Sequence, residues 1–247
     1  SVIVAFDLDA ESTAEVQYGA GTGDLDQSVP APTAAVHHEI ELVGLDAGTA
    51  YGYGVFVEGE ELTEDLSFST APVTGGNFTF LLYGDTRSGH DEHEDVVGVM
   101  SDDDALFLVH TGDLVASGDQ ADQWDTFFSI EQPLLQRMAM YPVVGNHDEE
   151  GGEAQLFEGA FALPGGKLYY SFDVANAHFV MLDQHVNAVL ACVVDELLVD
   201  SCLDEDQVAW LEADLTEASA NPDIDLIFVV AHSGPYSSKD GRAGSMH

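Results

Sequence analysis

The chain has 247 residues, with 46 Asp plus Glu against 5 Lys plus Arg, a formal charge of −41 and a hydrophobic fraction of 45%. Its length suits two domains at roughly 100 to 200 residues each, and its apolar content suffices for packed cores. The charge counts against nucleic acid and against anionic membranes, which are bound through Lys and Arg, and no apolar run approaches the roughly 18 to 20 residues of a membrane span.

Ser1 runs directly into Val2-Ile3-Val4-Ala5-Phe6 with no signal-peptide pattern, so the start reads as processed or truncated. Over residues 1–72 the pattern is of short β-like runs separated by turn residues: Val2 to Phe6, Ala14 to Tyr18, His38 to Val43, Tyr51 to Val57 and Leu66 to Thr70. Gly44-Leu45-Asp46-Ala47-Gly48-Thr49-Ala50-Tyr51 resembles the turn before the sixth strand of fibronectin type III domains, in which a Tyr, here Tyr51, closes the corner through its hydroxyl. Residues 1–72 thus resemble such a β-sandwich without its first strand.

Residues 73–77 form a Gly-rich linker, after which apolar runs alternate with helical stretches over residues 78–247. Phe78 to Tyr83, Ala105 to His110, Tyr141 to Val144, His178 to Leu182 and Leu226 to Ala231 read as buried strands. Helices are expected at His93 to Met100, Gln120 to Met138 and Glu205 to Ser219, the last stopped by Asn221-Pro222. This alternation implies a layered α/β domain, in which ligands gather at the carboxyl ends of the strands.

The carboxylates are scattered among the apolar stretches, so they coat a folded surface and do not form a disordered tail. Two readings remain open. At about 1 M salt the Debye length falls to about 3 Å and the self-repulsion of such a surface disappears, as in a salt-loving source. Alternatively, a secreted protein would bind divalent cations diffusely, which would suit cation-bridged self-association. Cys192 and Cys202 are the only cysteines. Joined, they would stabilise the chain by on the order of 2 to 3 kcal/mol and imply an oxidising compartment. The alternative is two separate thiols.

Four apolar runs end in residues able to bind metal: Gly84-Asp85, Gly112-Asp113, Gly145-Asn146-His147-Asp148 and Ala231-His232. Hard oxygen donors mixed with imidazole suit divalent zinc, manganese or iron, and one carboxylate can bridge two ions. The set suits a two-metal hydrolase in which ions about 3.5 to 4 Å apart bind phosphoryl oxygens and acidify a water.

In order and spacing these motifs resemble the calcineurin-like metallophosphoesterase superfamily, and within it the purple-acid-phosphatase-like proteins with an N-terminal fibronectin-like domain. The resemblance implies a secreted metallophosphoesterase that hydrolyses a phosphomonoester or phosphodiester with two divalent or trivalent ions (Fe, Zn or Mn). It places Asp85 on the first ion, Asp113 between the two, and Asn146 and His232 on the second. His147 would serve the leaving group or the phosphoryl oxygens, with Asp148 orienting its ring.

The chain departs from this pattern in three places. Arg87 stands where a first-metal His is often found, and would either bind substrate phosphate or pair with carboxylates. Ala116 stands where purple acid phosphatases carry a Tyr. The closing Gly-His-x-His motif is absent before His247, so the chain reads as a fragment truncated at both ends. His90 and His93 could replace the missing ligand, but they read as part of a solvated helix face; His37, His38, His110, His178 and His185 read as structural. The rival reading is an extracellular structural or adhesive protein that keeps the phosphoesterase fold without turnover, and a metal-binding sensor or carrier is a third.

Overall fold

The computed structural model describes residues 1–21, 23–63, 66–150, 154–184, 193–194, 197–198 and 203–234. The expected Cys192–Cys202 pair and His185 lie outside them. No helix among the described residues is long and apolar enough to cross a membrane.

The first 70 residues form two antiparallel sheets around one core. β1 (Val2–Ser12) pairs with β4 (Ala35–Leu42). In the second sheet β2 (Ala14–Ala20) lies between β3 (Gln27–Pro30) and β5 (Ala50–Val57), and β5 also pairs with β6 (Glu60–Glu61) and β7 (Leu66–Ser69). Alternate side chains of β2 and β4 turn inward, the period of strands with one wet face, so that Val16, Tyr18, Ile40 and Leu42 meet Tyr51, Val55 and Phe68. Tyr51 stacks on Phe68, and its hydroxyl accepts the N–H of Asp46 at 2.9 Å, closing the corner as expected. β3 is an element the sequence did not announce, because Gln-Ser-Val-Pro offers only one apolar residue.

The described residues from 78 onward build two three-stranded sheets stacked face to face. One is all parallel, in the order β10 (Ala139–Pro142), β9 (Phe107–His110), β8 (Phe80–Tyr83). The other joins β12 (Ala177–Met181) antiparallel to β11 (Tyr170–Val174) and parallel to β15 (Leu226–Val230). Before β15, β13 (Val193–Val194) pairs antiparallel with β14 (Leu197–Leu198).

Residues of β9 are buried on both faces. Phe107 and Val109 face the second sheet, among Phe179, Met181 and Val230. Leu108 faces the opposite way, onto helices α1 (His90–Met100) and α2 (Ala121–Leu135), through Val97, Ile130 and Leu134. Phenylalanines fill the space between the sheets, with Phe80 stacked on Phe107 and Phe179 on Phe228. Helix α3 (Gln155–Ala160) adds Phe157 to a cluster with Trp124 and Val144. The expected α/β layering is present, but its centre is a pair of stacked sheets. Strands buried on both faces have the same sequence pattern whether the second face meets a helix or a sheet.

Helix α4 (Glu205–Ala220) covers the second sheet through a polar clasp. The His178 ring on β12 faces Asp173 Oδ1 through Nδ1 at 2.6 Å and Asp214 Oδ2 through Nε2 at 2.8 Å, while Ser171 Oγ donates to Asp214 Oδ1 at 2.6 Å. Burial opposes protonation of His178, but the hydrogen bonds and charges of Asp214 and Asp173 outweigh it and raise its pKa. A pKa raised by folding contributes stability that is complete below the unfolded value of about 6.5 and fades as pH climbs through the folded value. His178→Gln is therefore expected to lose on the order of 1.5 to 3 kcal/mol at pH 5.5 and clearly less at pH 9, read by urea unfolding. An equal loss at both values would mean that the ring clasps α4 without its charge.

Candidate metal centre

Because β8, β9 and β10 are parallel neighbours, with Tyr83 in register with His110 and His110 with Pro142, their carboxyl ends lie side by side. The loops leaving them are zipped together by backbone bonds: Asp85 N–H to Gly112 O at 3.0 Å, Arg87 N–H to Asp113 O at 3.0 Å, and Val143 N–H to His110 O at 2.9 Å. β15 of the other sheet brings His232 to the same place, where its Nδ1 donates to Thr111 O at 2.8 Å. That bond leaves Nε2 as the nitrogen turned toward Asp113 Oδ1, 3.3 Å away.

Two of the aspartates sit in the left-handed region, Asp85 at φ 64° and Asp113 at φ 55°. Such backbone costs about 1 to 3 kcal/mol per residue and persists only where the surroundings fix it. Gly112, at φ 89°, is required on both counts: a Cβ there would stand 2.8 Å from His232 Nδ1 and 2.9 Å from Gly145 N. The turn also aims the Asp113 carboxylate inward, where it is 4% exposed, against 74% for Asp85.

The side chains of Asp113, His232, Arg87 and Asp85 and the backbone of His147 are thus brought together. Asp113 Oδ1 accepts the His147 backbone N–H at 3.1 Å, and Asp113 Oδ2 lies 3.0 Å from Arg87 Nε, which is 3.8 Å from Asp85 Oδ1. Asn146 is exposed at the head of the same turn. His147 Nδ1 donates to Ala116 O at 2.8 Å, with Glu150 Oε1 at 3.3 Å, so Nε2 is the end presented outward.

Asp148 corrects an expectation, since its carboxylate does not touch the His147 ring. It turns inward and accepts four backbone N–H groups: Asp113 and Gly145 on Oδ2 at 2.9 and 2.8 Å, Leu114 and Val115 on Oδ1 at 2.8 and 3.2 Å. Burial pushes its carboxyl up to about 6 despite the amide donors. Neighbours in a tight turn project in different directions, so adjacency to His147 in the chain did not put the two side chains in contact.

His93 is a second correction. The helix face it occupies is buried, and its Nε2 lies 2.6 Å from Glu131 Oε1, the oxygen that also accepts from the Tyr83 hydroxyl. Burial pushes His93 down to about 4 and Glu131 up to about 8, favouring the neutral form of each. The cluster ties α1 and α2 to β8 and withdraws His93 from the metal candidates; His90 stays exposed.

Several supporting residues gave no sequence signal. Gln123 Oε1 accepts the N–H groups of Ala116 and Ser117 at 2.9 and 3.0 Å. The buried Gln184 side chain clamps the residue after His232, accepting from Ser233 N at 2.6 Å and donating to Ser233 O at 3.0 Å. Gln207 does the same for the backbone of Asp183. A Gln within or beside an apolar run is unremarkable until its partner is known.

Among the described residues no three His, Cys, Asp or Glu side chains gather into a metal site by themselves. The pair of donors that fits an ion is Asp113 Oδ1 with His232 Nε2, 3.3 Å apart. Two donors each about 2.1 Å from a common ion stand about 3.0 to 3.4 Å apart, and Asp113 Oδ1 and His232 Nε2 meet that separation.

A family model for the calcineurin-like phosphoesterases matches residues 78–246. Purple acid phosphatase 22 of Arabidopsis thaliana is 26% identical over 219 residues, covering 84% of this chain and 46% of its own length. Purple acid phosphatase 18 of the same plant is 27% identical over 226 residues, with 84% and 45% covered. The chain thus spans about half the length of the curated relatives it matches. Among solved structures, a purple acid phosphatase, PPD1, isolated from yellow lupin (Lupinus luteus) seeds superposes with a TM-score of 0.74 over 96% of this chain and 50% of that one, at 16% identity. At that identity the likeness is one of fold.

Asp148→Ala would strand four buried N–H groups at once. We expect it to lower unfolding free energy by about 3 kcal/mol or more and Mn²⁺ affinity by roughly 10- to 100-fold, with Asp148→Asn between it and the unaltered protein. Denaturant titration and calorimetric Mn²⁺ titration check this; unchanged stability would show that the loops hold without the carboxylate.

Proposed function

Because the chain belongs to the calcineurin-like phosphoesterase family, we propose that it is the metal-binding part of a metal-dependent phosphohydrolase that cleaves a phosphomonoester or phosphodiester. The observation that carries this reading is the meeting of Asp113 and His232 at 3.3 Å, from strand ends of two different sheets, with Arg87 and the His147 N–H also on Asp113. A divalent ion bound by Asp113, His232 and Asn146 would supply Lewis-acid polarisation of a phosphoryl oxygen and an acidified water.

The chain's own residues do the rest. The Arg87 guanidinium offers paired N–H donors to phosphoryl oxygens. His147, its Nδ1 fixed on Ala116 O, presents Nε2 to give a proton to the leaving oxygen. Asp148 acts as a positioning residue, holding the backbone of both loops. In the two-ion form of the reading, Asp85 with Asp113 would take a first ion and Asp113, Asn146 and His232 a second.

The reading extends to the whole chain. Residues 1–72 are taken as a fibronectin type III-like β-sandwich, 73–77 as a linker and 78–247 as the phosphoesterase domain. Support for the first comes from the Tyr51 hydroxyl at Asp46 and from the separate β1 and β4 pair beside the larger sheet. The Tyr53 hydroxyl, which donates to Gln136 O at 3.0 Å, joins the two units. A secreted protein in a saline or cation-rich medium fits the charge of −41.

Hydrolysis of p-nitrophenyl phosphate and bis-p-nitrophenyl phosphate, before and after chelation and readdition of Mn²⁺, Zn²⁺ or Fe²⁺, tests the reading. Activity is expected to vanish on chelation and return with metal, and Asp113→Asn to lower it by roughly 100-fold or more. Chelator-insensitive activity, or none with any ion, would overturn it.

A further inference from the structure

Resting on the metal-dependent reading above, we propose that Arg87 holds the place of one cation at this centre, so that the site takes a single divalent ion and binds a phosphoryl group between that ion and the guanidinium.

The two oxygens of Asp113 divide the site. Oδ1 faces the imidazole side, with His232 Nε2 at 3.3 Å and the His147 N–H at 3.1 Å. Oδ2 faces the guanidinium side, with Arg87 Nε at 3.0 Å, and Asp85 Oδ1 lies 3.8 Å from the same nitrogen. The guanidinium therefore rests against both carboxylates that a second ion would need. An imidazole binds an ion once it has shed its proton near neutrality, whereas a guanidinium keeps its charge throughout the accessible range. Any ion entering beside Asp85 would meet a permanent positive charge at hydrogen-bond distance from its bridging ligand.

The surroundings of Arg87 supply no replacement donors among the described residues. The Ala116 side chain is a methyl group, and its backbone N–H and C=O are taken by Gln123 and His147. The Thr86 hydroxyl lies 3.1 Å from His110 Nε2 and 3.3 Å from Leu114 O, and His93 is held by Glu131. Among the described residues, Asp85 and Asp113 are the two donors an ion on that side would find, against the three or four that zinc takes from protein. Arg87 is also anchored to the residue it neutralises, because its own N–H donates to Asp113 O at 3.0 Å.

The chain's charge points the same way. It carries 5 Lys plus Arg against 46 Asp plus Glu. Three of those cations, Arg87, Arg137 and Lys167, are among the described residues. Arg137 binds the backbone oxygens of Ser101 and Asp103, and Lys167 lies over the Tyr169 ring. Arg87 alone of these three reaches the strand ends. A phosphate ester approaching so anionic a protein needs positive charge at its destination, and a guanidinium meets two phosphoryl oxygens at once while a bound ion meets a third.

Equilibrium dialysis against Mn²⁺ followed by metal analysis, on the purified protein and on Arg87→His and Arg87→Ala, tests the proposal, with circular dichroism to confirm folding. The expected result is one ion per chain in the unaltered protein, two in Arg87→His, whose imidazole replaces charge with a ligand, and a KM for p-nitrophenyl phosphate raised about tenfold or more in Arg87→Ala. Two ions in the active unaltered protein, or one ion still in a folded Arg87→His, would overturn the single-ion assignment and leave metal-dependent hydrolysis standing. No ion and no hydrolysis in the unaltered protein would remove both.

Discussion

Four backbone N–H groups from two loops end on one carboxylate, and the centre depends on that arrangement. Asp148 draws in Asp113, Leu114 and Val115 from the loop after β9, and Gly145 from its own loop after β10. It is fully buried, so each of these donors would otherwise be unsatisfied away from water. The left-handed Asp113 stands in the first of these loops, and a conformation of that kind reverts unless several bonds fix it. Charge-assisted bonds to a carboxylate are the strong kind, and their number here exceeds what a helix cap or turn normally collects. The strain at Asp113 and the anchoring by Asp148 are two sides of one device: backbone bent to aim a buried carboxylate, and a second carboxylate to keep it bent.

The candidate ligands were legible because their chemistry follows a local rule. An apolar strand, a glycine that turns sharply, and then a polar residue places that residue at a strand end, and Gly84-Asp85, Gly112-Asp113 and Gly145-Asn146 all obey it. The parallel pairing of β8, β9 and β10 then aligns three of the ends without further instruction. Three helices and most strands followed in the same way from period and punctuation, although α1 begins before His93 and α2 ends before Met138, while α3 and β11 carried no such signal.

What stayed hidden was set by partners distant in sequence. The pairing of β12 with β15, which carries His232 to Thr111, spans some fifty residues, and nothing in either strand names the other. His93 looked solvated amid Asp91, Glu92, Glu94 and Asp95, yet Glu131 on the next helix gives it a buried partner. A helix segment charged on most sides does not reveal which side faces inward when the inward contact is itself ionisable. Asp148 is the same case at shorter range, its direction fixed by amides on another strand's loop.

The charge of the chain raises a question of selectivity that only burial answers. With −41 overall, cations are attracted to the whole surface, and an exposed carboxylate such as Asp85 differs little in that respect from its many neighbours. At about 1 M salt, exposed attractions are screened within about 3 Å, while buried pairs are screened far less. Asp113, almost wholly enclosed and flanked by imidazole on one oxygen and guanidinium on the other, keeps its electrostatics when the surface loses most of its own. Salt therefore sharpens the contrast between the centre and the coat around it. So high an acidity need not blur a site built from one buried carboxylate, provided its positive partners come from the fold and from an ion held within it.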